Sequence, residues 1–246
     1  MSAYVDETLL ASIRTLISEL YREAEVEVSG KSRITPLGEL IGSSNLVLKE
    51  LSGLSQQRAM EYLVQEGALV EAPRISGEDE LAGFLYTNTL YGCIFVEAED
   101  LLVRRRFSAA HELGHYLLHF RPLLVMAQRQ QEYLELTEVL YRGQADDPQE
   151  TASGQVVKSE QLVVGKQLPP EGRMEYEANQ FATELLMPAE IVRGLFARAM
   201  LRFSENDLVS YLATEMLVSQ EAIRWRLKQF GLLPLPQGRS QRGEEI

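Results

Sequence analysis

The chain has only three histidines, and all of them fall within nine residues, at His111, His115 and His119. His111-Glu112-Leu113-Gly114-His115 is an H-E-x-x-H sequence. Residues four apart on a helix lie one turn along the same face, so both imidazoles can reach one cation through bonds of about 2.0–2.1 Å. Glu112 follows the first ligand, and in this pattern its carboxylate meets water held by the cation and not the cation itself. A divalent cation lowers the pKa of such a water toward ~7, which makes Glu112 the candidate general base for delivering hydroxide to a carbonyl carbon. The chemistry these residues suit is metal-assisted hydrolysis.

A catalytic zinc site has three protein ligands and one open position. His119 lies two turns, ~12 Å, beyond His111 along a straight helix. The Tyr116-Leu117-Leu118 before it lacks the glycine that turns the chain back in the longer H-E-x-x-H-x-x-G-x-x-H motif. His119 is therefore read as packing first, with support of a ligand or substrate contact as its other roles. Cys93, the single cysteine, would complete a Cys/His/His site of the deformylase type, but it sits in an apolar run that reads as a strand. A carboxylate is the favoured third ligand. Glu175 and Glu177 open an apolar-faced helix over 174–187 and are the best placed acids. Asn179, one turn after Glu175, offers an amide oxygen to a ligand imidazole, and Ala178 and Ala182 permit close helix approach. Glu175 is the first choice and Glu177 the reserve. Ligand type leaves Mn2+ as an alternative to Zn2+. Tyr86, Tyr91 and Tyr116 are candidate donors to a developing oxyanion, and the sequence does not choose among them.

The elements that must hold these groups can be read from periodicity. Leu9, Leu10, Ile13, Leu16, Ile17 and Leu20 predict an amphipathic helix over about 6–25. Residues 36–67 read as mainly helical, with Ser55 as an N-cap and Gly67 as a stop. Residues 75–96 shift toward β character, giving two short strands around the Thr87-Asn88-Thr89 turn. The histidines sit on a helix over 101–120 that Pro122 closes. Residues 124–141 read as helical, and 143–161 as a polar, turn-rich insertion. Helices follow over 175–187, 188–201, 205–215 and 220–230, the last capped by Ser219 and stopped by Gly231. The chain from Pro234 on reads as a frayed polar tail.

Composition limits the function classes. With 24 Lys+Arg against 36 Asp+Glu, the formal charge of -12 opposes broad contact with phosphate backbones or anionic membranes. Asp6, Glu7, Glu19, Glu23 and Glu25 interrupt the first 25 residues, so no secretory apolar stretch is expected there. No run approaches the ~20 apolar residues of a membrane span. One cysteine excludes an internal disulfide and fits a reducing interior. The chain is expected to be cytoplasmic. Residues 204–231 can also be read as a DNA-binding helix-turn-helix, with Arg224, Arg226 and Lys228 on its second helix. That region is close to neutral, however, which argues against direct nucleic-acid binding.

Two separated blocks carry a family resemblance. Arg105-Arg106-Phe107-Ser108-Ala109-Ala110 leads into the H-E-x-x-H and on to His119. Glu175-Tyr176-Glu177-Ala178-Asn179-Gln180-Phe181-Ala182 continues to Leu185-Leu186-Met187-Pro188. Together they resemble the ImmA/IrrE family of metallopeptidases, and Gly83-Phe84-Leu85, Ile94-Phe95-Val96 and 218–227 are similar to its flanking segments. The resemblance implies a zinc-dependent endopeptidase with a thermolysin-like site, in which His111, His115 and Glu175 are ligands and Glu112 is the catalytic glutamate. It also implies a protein substrate, commonly a helix-turn-helix repressor whose cleavage releases genes under stress or during mobile-element excision. Sixty positions separate His115 from Glu175, more than the family pattern leads one to expect, so the insertion is a candidate cover, gate or partner site.

The expected fold class is α+β, mainly helical, with a small β-sheet beside the zinc-binding helix and a C-terminal helical cluster. The expected organisation is an N-terminal helical region (1–70), a zincin-like metallopeptidase domain (71–200, with 121–170 inserted), helix-turn-helix-like helices (201–232) and a tail (233–246). Two rival functions keep much of this framework: a non-catalytic regulatory or protein-binding member of the same fold, and a DNA-binding regulator using 204–231.

Overall fold

The computed structural model describes residues 6–26, 33–69, 80–141 and 168–234. Helix α1 (Glu7–Glu23) begins at Asp6, whose carboxylate accepts from the backbone N–H groups of Thr8 and Leu9, both at 3.1 Å. Its Leu10, Ile13 and Leu20 are buried, as the helical spacing requires. Helix α2 (Leu37–Ser43) leads into β1 (Leu46–Leu51), and α3 (Gln56–Gln65) starts at Ser55 and ends at Gly67, where φ is +72°. Strand β1 corrects the mainly helical reading of 36–67. Leu, Lys and Glu favour helix locally, but Asn45 at φ 58° breaks α2, and the following residues pair in parallel with a later strand.

Strands β2 (Leu81–Asn88) and β3 (Gly92–Glu97) are the two expected strands, and they pair antiparallel. Helix α4 (Leu102–His115) carries the H-E-x-x-H. Pro122 does not close that helix. A single π-helical turn over Tyr116–Phe120 passes directly into α5 (Arg121–Gln130), and the proline sits in the first turn of α5, where its missing N–H costs nothing. The helical reading of 124–141 is right only as far as Gln130. Residues Glu135–Tyr141 form β4, whose Leu134-x-Leu136-x-Glu138-x-Leu140 alternation is a period of two. The insertion read over 143–161 and the tail beyond Pro234 lie outside the described residues.

Helices α6 (Glu171–Leu186), α7 (Ala189–Ala199), α8 (Glu205–Met216) and α9 (Gln220–Gln229) complete the order. Ser219 caps α9 and Gly231, at φ +66°, follows its end. The strand order is β1-β3-β2-β4, a mixed sheet with β1 parallel to β3 and the rest antiparallel. The fold is therefore α+β, mainly helical, with one small sheet.

The sheet has two differently filled faces. On one, Leu85, Ile94 and Val96 join α4, α6 and the flanking helices in the larger core. On the other, Phe84, Tyr86, Cys93 and Phe95 pack with Leu54, Met60 and Leu63 around α3. The larger core also takes in Leu208, Leu212, Ile223 and Leu227 of α8 and α9, so the C-terminal helices share it with the metal-motif helix. No helix among the described residues is long and apolar enough to cross a membrane.

Candidate metal centre

Helices α4 and α6 pack against each other closely enough to meet at backbone distance. A Cβ on Gly114 would lie 3.2 Å from Ala178 Cα and 3.1 Å from Phe181 Cδ1, so only glycine lets the two axes come this near. The approach brings the start of α6 onto the end of α4. His111 Nε2 lies 3.3 Å from one oxygen of Glu175, His115 Nε2 lies 3.1 Å from the other, and the two Nε2 atoms are 2.9 Å apart. All three side chains are buried, and their ligand atoms fall within 4.8 Å of one another.

Charge makes this cluster incomplete as it stands. Burial dominates His115 and lowers its pKa to about 4, so the imidazole is neutral near pH 7. Burial also works against an ionised Glu175, but the hydrogen bonds to His111 and His115 outweigh it and hold the carboxyl at about 2. Near pH 7 His115 brings no charge to Glu175, and among the described residues no arginine or lysine pairs with that carboxylate, whereas buried charges are normally paired or coordinate metals. Donors about 2.0–2.1 Å from a tetrahedral ion would stand roughly 3.3 Å from one another. The observed separations of 2.9–3.3 Å fit that donor set.

Asn179 supports the first imidazole. His111 Nδ1 donates to Asn179 Oδ1 at 2.9 Å, which fixes the ring with Nε2 directed at Glu175 and His115. His115 Nδ1 is buried without such a partner.

Glu112 lies against strand β2, close enough to Glu175 to feel its charge. It is fully buried, and neither carboxylate oxygen has a hydrogen-bond partner among the described residues. Burial, then the nearby Glu138 and Glu175 charges, push its pKa well above the ordinary value of 4.5. Its place exists because residue 83 is glycine: a Cβ there would lie 2.7 Å from Glu112 Oε1. Gly83 faces α4 by strand alternation with Leu85, and the β2–β4 register slips by one residue just before it, between Leu81 and Gly83.

Two residues of this environment escape a reading of the sequence for ligands alone. Gly83 is one; the register slip beside it depends on β4, a strand read as helix. The other is Glu138, buried in β4 opposite Leu85 and close enough to raise the Glu112 pKa. Its signal was an acid in an inward position of the Leu134-to-Leu140 alternation, where an apolar residue is expected.

The remaining candidates are placed elsewhere. Glu177 bonds Arg173 Nε at 2.7 Å and lies 3.9 Å from His119 Nδ1, outside the three-residue group. His119, on the π-helical turn, is buried with Nε2 donating to the Met174 carbonyl at 3.3 Å. Its ring centroid is 5.5 Å from that of His115, so it packs beside the cluster without joining it. Cys93 is not brought to the histidines: it belongs to the opposite face of the sheet, where burial pushes its thiol up to about 12. Tyr86 shares that face, donates to Glu135 at 2.9 Å and accepts from Asn88 Nδ2 at 3.1 Å. Tyr91 is on that face too, its hydroxyl engaged by the Ala68 carbonyl. Tyr116 packs half-buried against the larger core.

The helix-turn-helix reading meets a specific obstacle. Arg226 is fully buried, with Nη2 on Glu184 at 2.7 Å and Nε on the Met187 carbonyl at 3.1 Å, so it presents nothing to a nucleic acid. Arg224 is held by Asn206 at 2.9 Å.

Comparison with curated proteins finds no match. A family model does match, in two segments, 70–140 and 159–228, which span the H-E-x-x-H helix, the Glu175 helix and both C-terminal helices. That coverage of more than half the chain, with the two histidines and the glutamate held together in the fold, places the protein in the IrrE N-terminal-like domain family of peptidases.

Proposed function

We propose that the protein is a zinc-dependent endopeptidase in which His111, His115 and Glu175 hold the cation and Glu112 moves protons. The observation that carries this reading is the pairing of a buried His/His/Glu cluster with a second buried carboxyl, Glu112, that has no hydrogen-bond partner among the described residues. A structural metal site needs no such extra carboxyl. A divalent cation held there would supply Lewis acidity toward a carbonyl oxygen and lower the pKa of water within its reach.

The protein's own residues account for the rest. Asn179 fixes the tautomer of His111, and Gly83 lets the Glu112 carboxyl lie against β2. Glu112 takes a proton from the attacking water as its oxygen bonds to the scissile carbonyl carbon. It then passes that proton to the amide nitrogen as the C–N bond breaks. A raised pKa suits the second half of that task, in which the acid form delivers the proton. Strand β4 is an edge strand in the described sheet, and such an edge offers backbone groups to an extended peptide.

The substrate in this reading is a protein, and a DNA-binding repressor is the class that the family resemblance suggests. The test is to measure metal in purified wild type and Glu112→Gln, then follow cleavage of a co-expressed helix-turn-helix repressor. Near-stoichiometric zinc in both and cleavage only by wild type is expected, with a loss of roughly 10²–10⁴-fold in rate for the variant. Cleavage that persists in Glu112→Gln would remove the mechanism. Cleavage by neither, across a panel of repressors, would favour a non-catalytic binding protein.

A further inference from the structure

A cavity of about 600 Å³ opens between the start of α2, β1 and the first half of α4. None of the metal-cluster residues lines it. Its apolar wall is formed by Leu37, Leu48, Val96 and Ala109, and the exposed side chains of Ile34 and Leu102 extend that surface outward. The volume falls within the ~300–1,000 Å³ range of small-molecule sites.

The polar wall is unequal in charge. Arg105 lines the cavity but is paired with Glu50, which also lines it. Glu39 is exposed at the start of α2. Among the described residues Arg106 has no carboxylate partner. Its Nη2 donates to the Thr35 carbonyl at 3.0 Å, and its Nε is buried without an acceptor among them. Burial lowers its pKa, as expected for a guanidinium that has lost water without gaining an anion.

We propose that this cavity binds a small amphipathic anion, a monocarboxylate with a short hydrocarbon body. The carboxylate would meet the Arg106 guanidinium, whose planar fork matches it, and the hydrocarbon would cover the Leu37, Leu48, Val96 and Ala109 wall. Inorganic phosphate would satisfy the charge and leave that wall wet.

Octanoate is the probe, with octanamide and inorganic phosphate as comparisons, titrated into the isotope-labelled full chain and into Arg106→Met. The expected result is saturable octanoate binding with amide shifts confined to residues 34–39, 46–50 and 102–109. Binding should be weaker by roughly tenfold or more for octanamide, for phosphate, and for octanoate with the variant. Should Arg106→Met fail to fold, the wild-type comparison of octanoate with octanamide decides. Absent saturation, shifts elsewhere, or octanamide or phosphate binding as tightly as octanoate would overturn the proposal.

Discussion

Of the three buried glutamates on helix α6, Glu175 and Glu184 lie nine residues apart in opposite surroundings. Glu184 accepts from Arg226 of α9 at 2.7 Å and from Arg14 of α1 at 3.0 Å. Arg226 is further held by the Met187 carbonyl and Gln229, and its guanidinium lies 4.5 Å from the Phe230 ring centroid. That charge is answered within the protein, and the answer ties both terminal helices to α6. Glu175 faces two imidazoles, of which His115 is neutral near pH 7, and among the described residues no arginine or lysine pairs with it. The same residue type on the same helix is a structural clasp in one place and an open valence in the other. The difference lies in where the compensating positive charge comes from.

The contrast is broken most forcefully at Arg226. Removing one partner of a buried ion pair leaves the other charge stranded, and Arg226→Met should cost about 3 kcal/mol in chemical denaturation of the metal-free protein. Arg14 still shields Glu184, which keeps the cost at the low end of the usual range. Glu175→Gln, measured the same way, should cost the metal-free protein less than Arg226→Met does, because it breaks contacts to two imidazoles and no ion pair with an arginine. Equal losses in the two variants would erase the distinction.

Asn179→Leu sharpens the comparison from the side of the open site. With the His111 tautomer no longer fixed, zinc affinity in a chelator competition should fall roughly 10–100-fold. An unchanged affinity would mean that Asn179 does not orient the ligand.

Gly83→Ala tests the neighbour that the open site needs. The added methyl meets Glu112 Oε1, so a loss of about 1–3 kcal/mol is expected by thermal unfolding. In a Glu112→Ala background that loss should shrink, since the clash has been removed. An identical cost in both backgrounds would place the strain elsewhere.

The smallest effect is a pH dependence. The folded-state pKa of Glu112 lies above 4.5, its ordinary value. Its protonated form therefore contributes stability below that ordinary value, and the contribution is lost as pH rises through the folded pKa. Metal-free wild type should lose stability relative to Glu112→Gln as pH rises above about 4.5. Parallel stability curves from pH 4 to 8 would contradict the burial of an uncompensated carboxyl.

What could be read from the sequence follows the range of the interactions involved. The H-E-x-x-H helix, the caps at Ser55 and Ser219 and the stops at Gly67 and Gly231 are local, and the structure shows them. Bringing Glu175 to the histidines is not local, yet it was legible because Asn179, Ala178 and Ala182 mark the face of α6 that must approach α4. Strand β1 was hidden because its pairing with β3 is a parallel match made over a long separation, against helix-favouring residues. Pro122 misled for a related reason: a proline ends a helix only where its N–H is needed, and the π-helical turn before it removes that need. Glu138 was missed through the helical reading of β4, and the Gly83 bulge follows from the same strand.

Calorimetric titration of zinc into the metal-free full chain, repeated with Glu175→Gln and His115→Ala, measures the open valence directly. One ion per chain is expected for wild type. Each variant should weaken binding by more than the ~100-fold upper value typical of a residue that only supports a ligand. Zinc that fails to bind wild type, or binds all three proteins alike, would show that the positive charge Glu175 lacks is not supplied by a metal at this cluster.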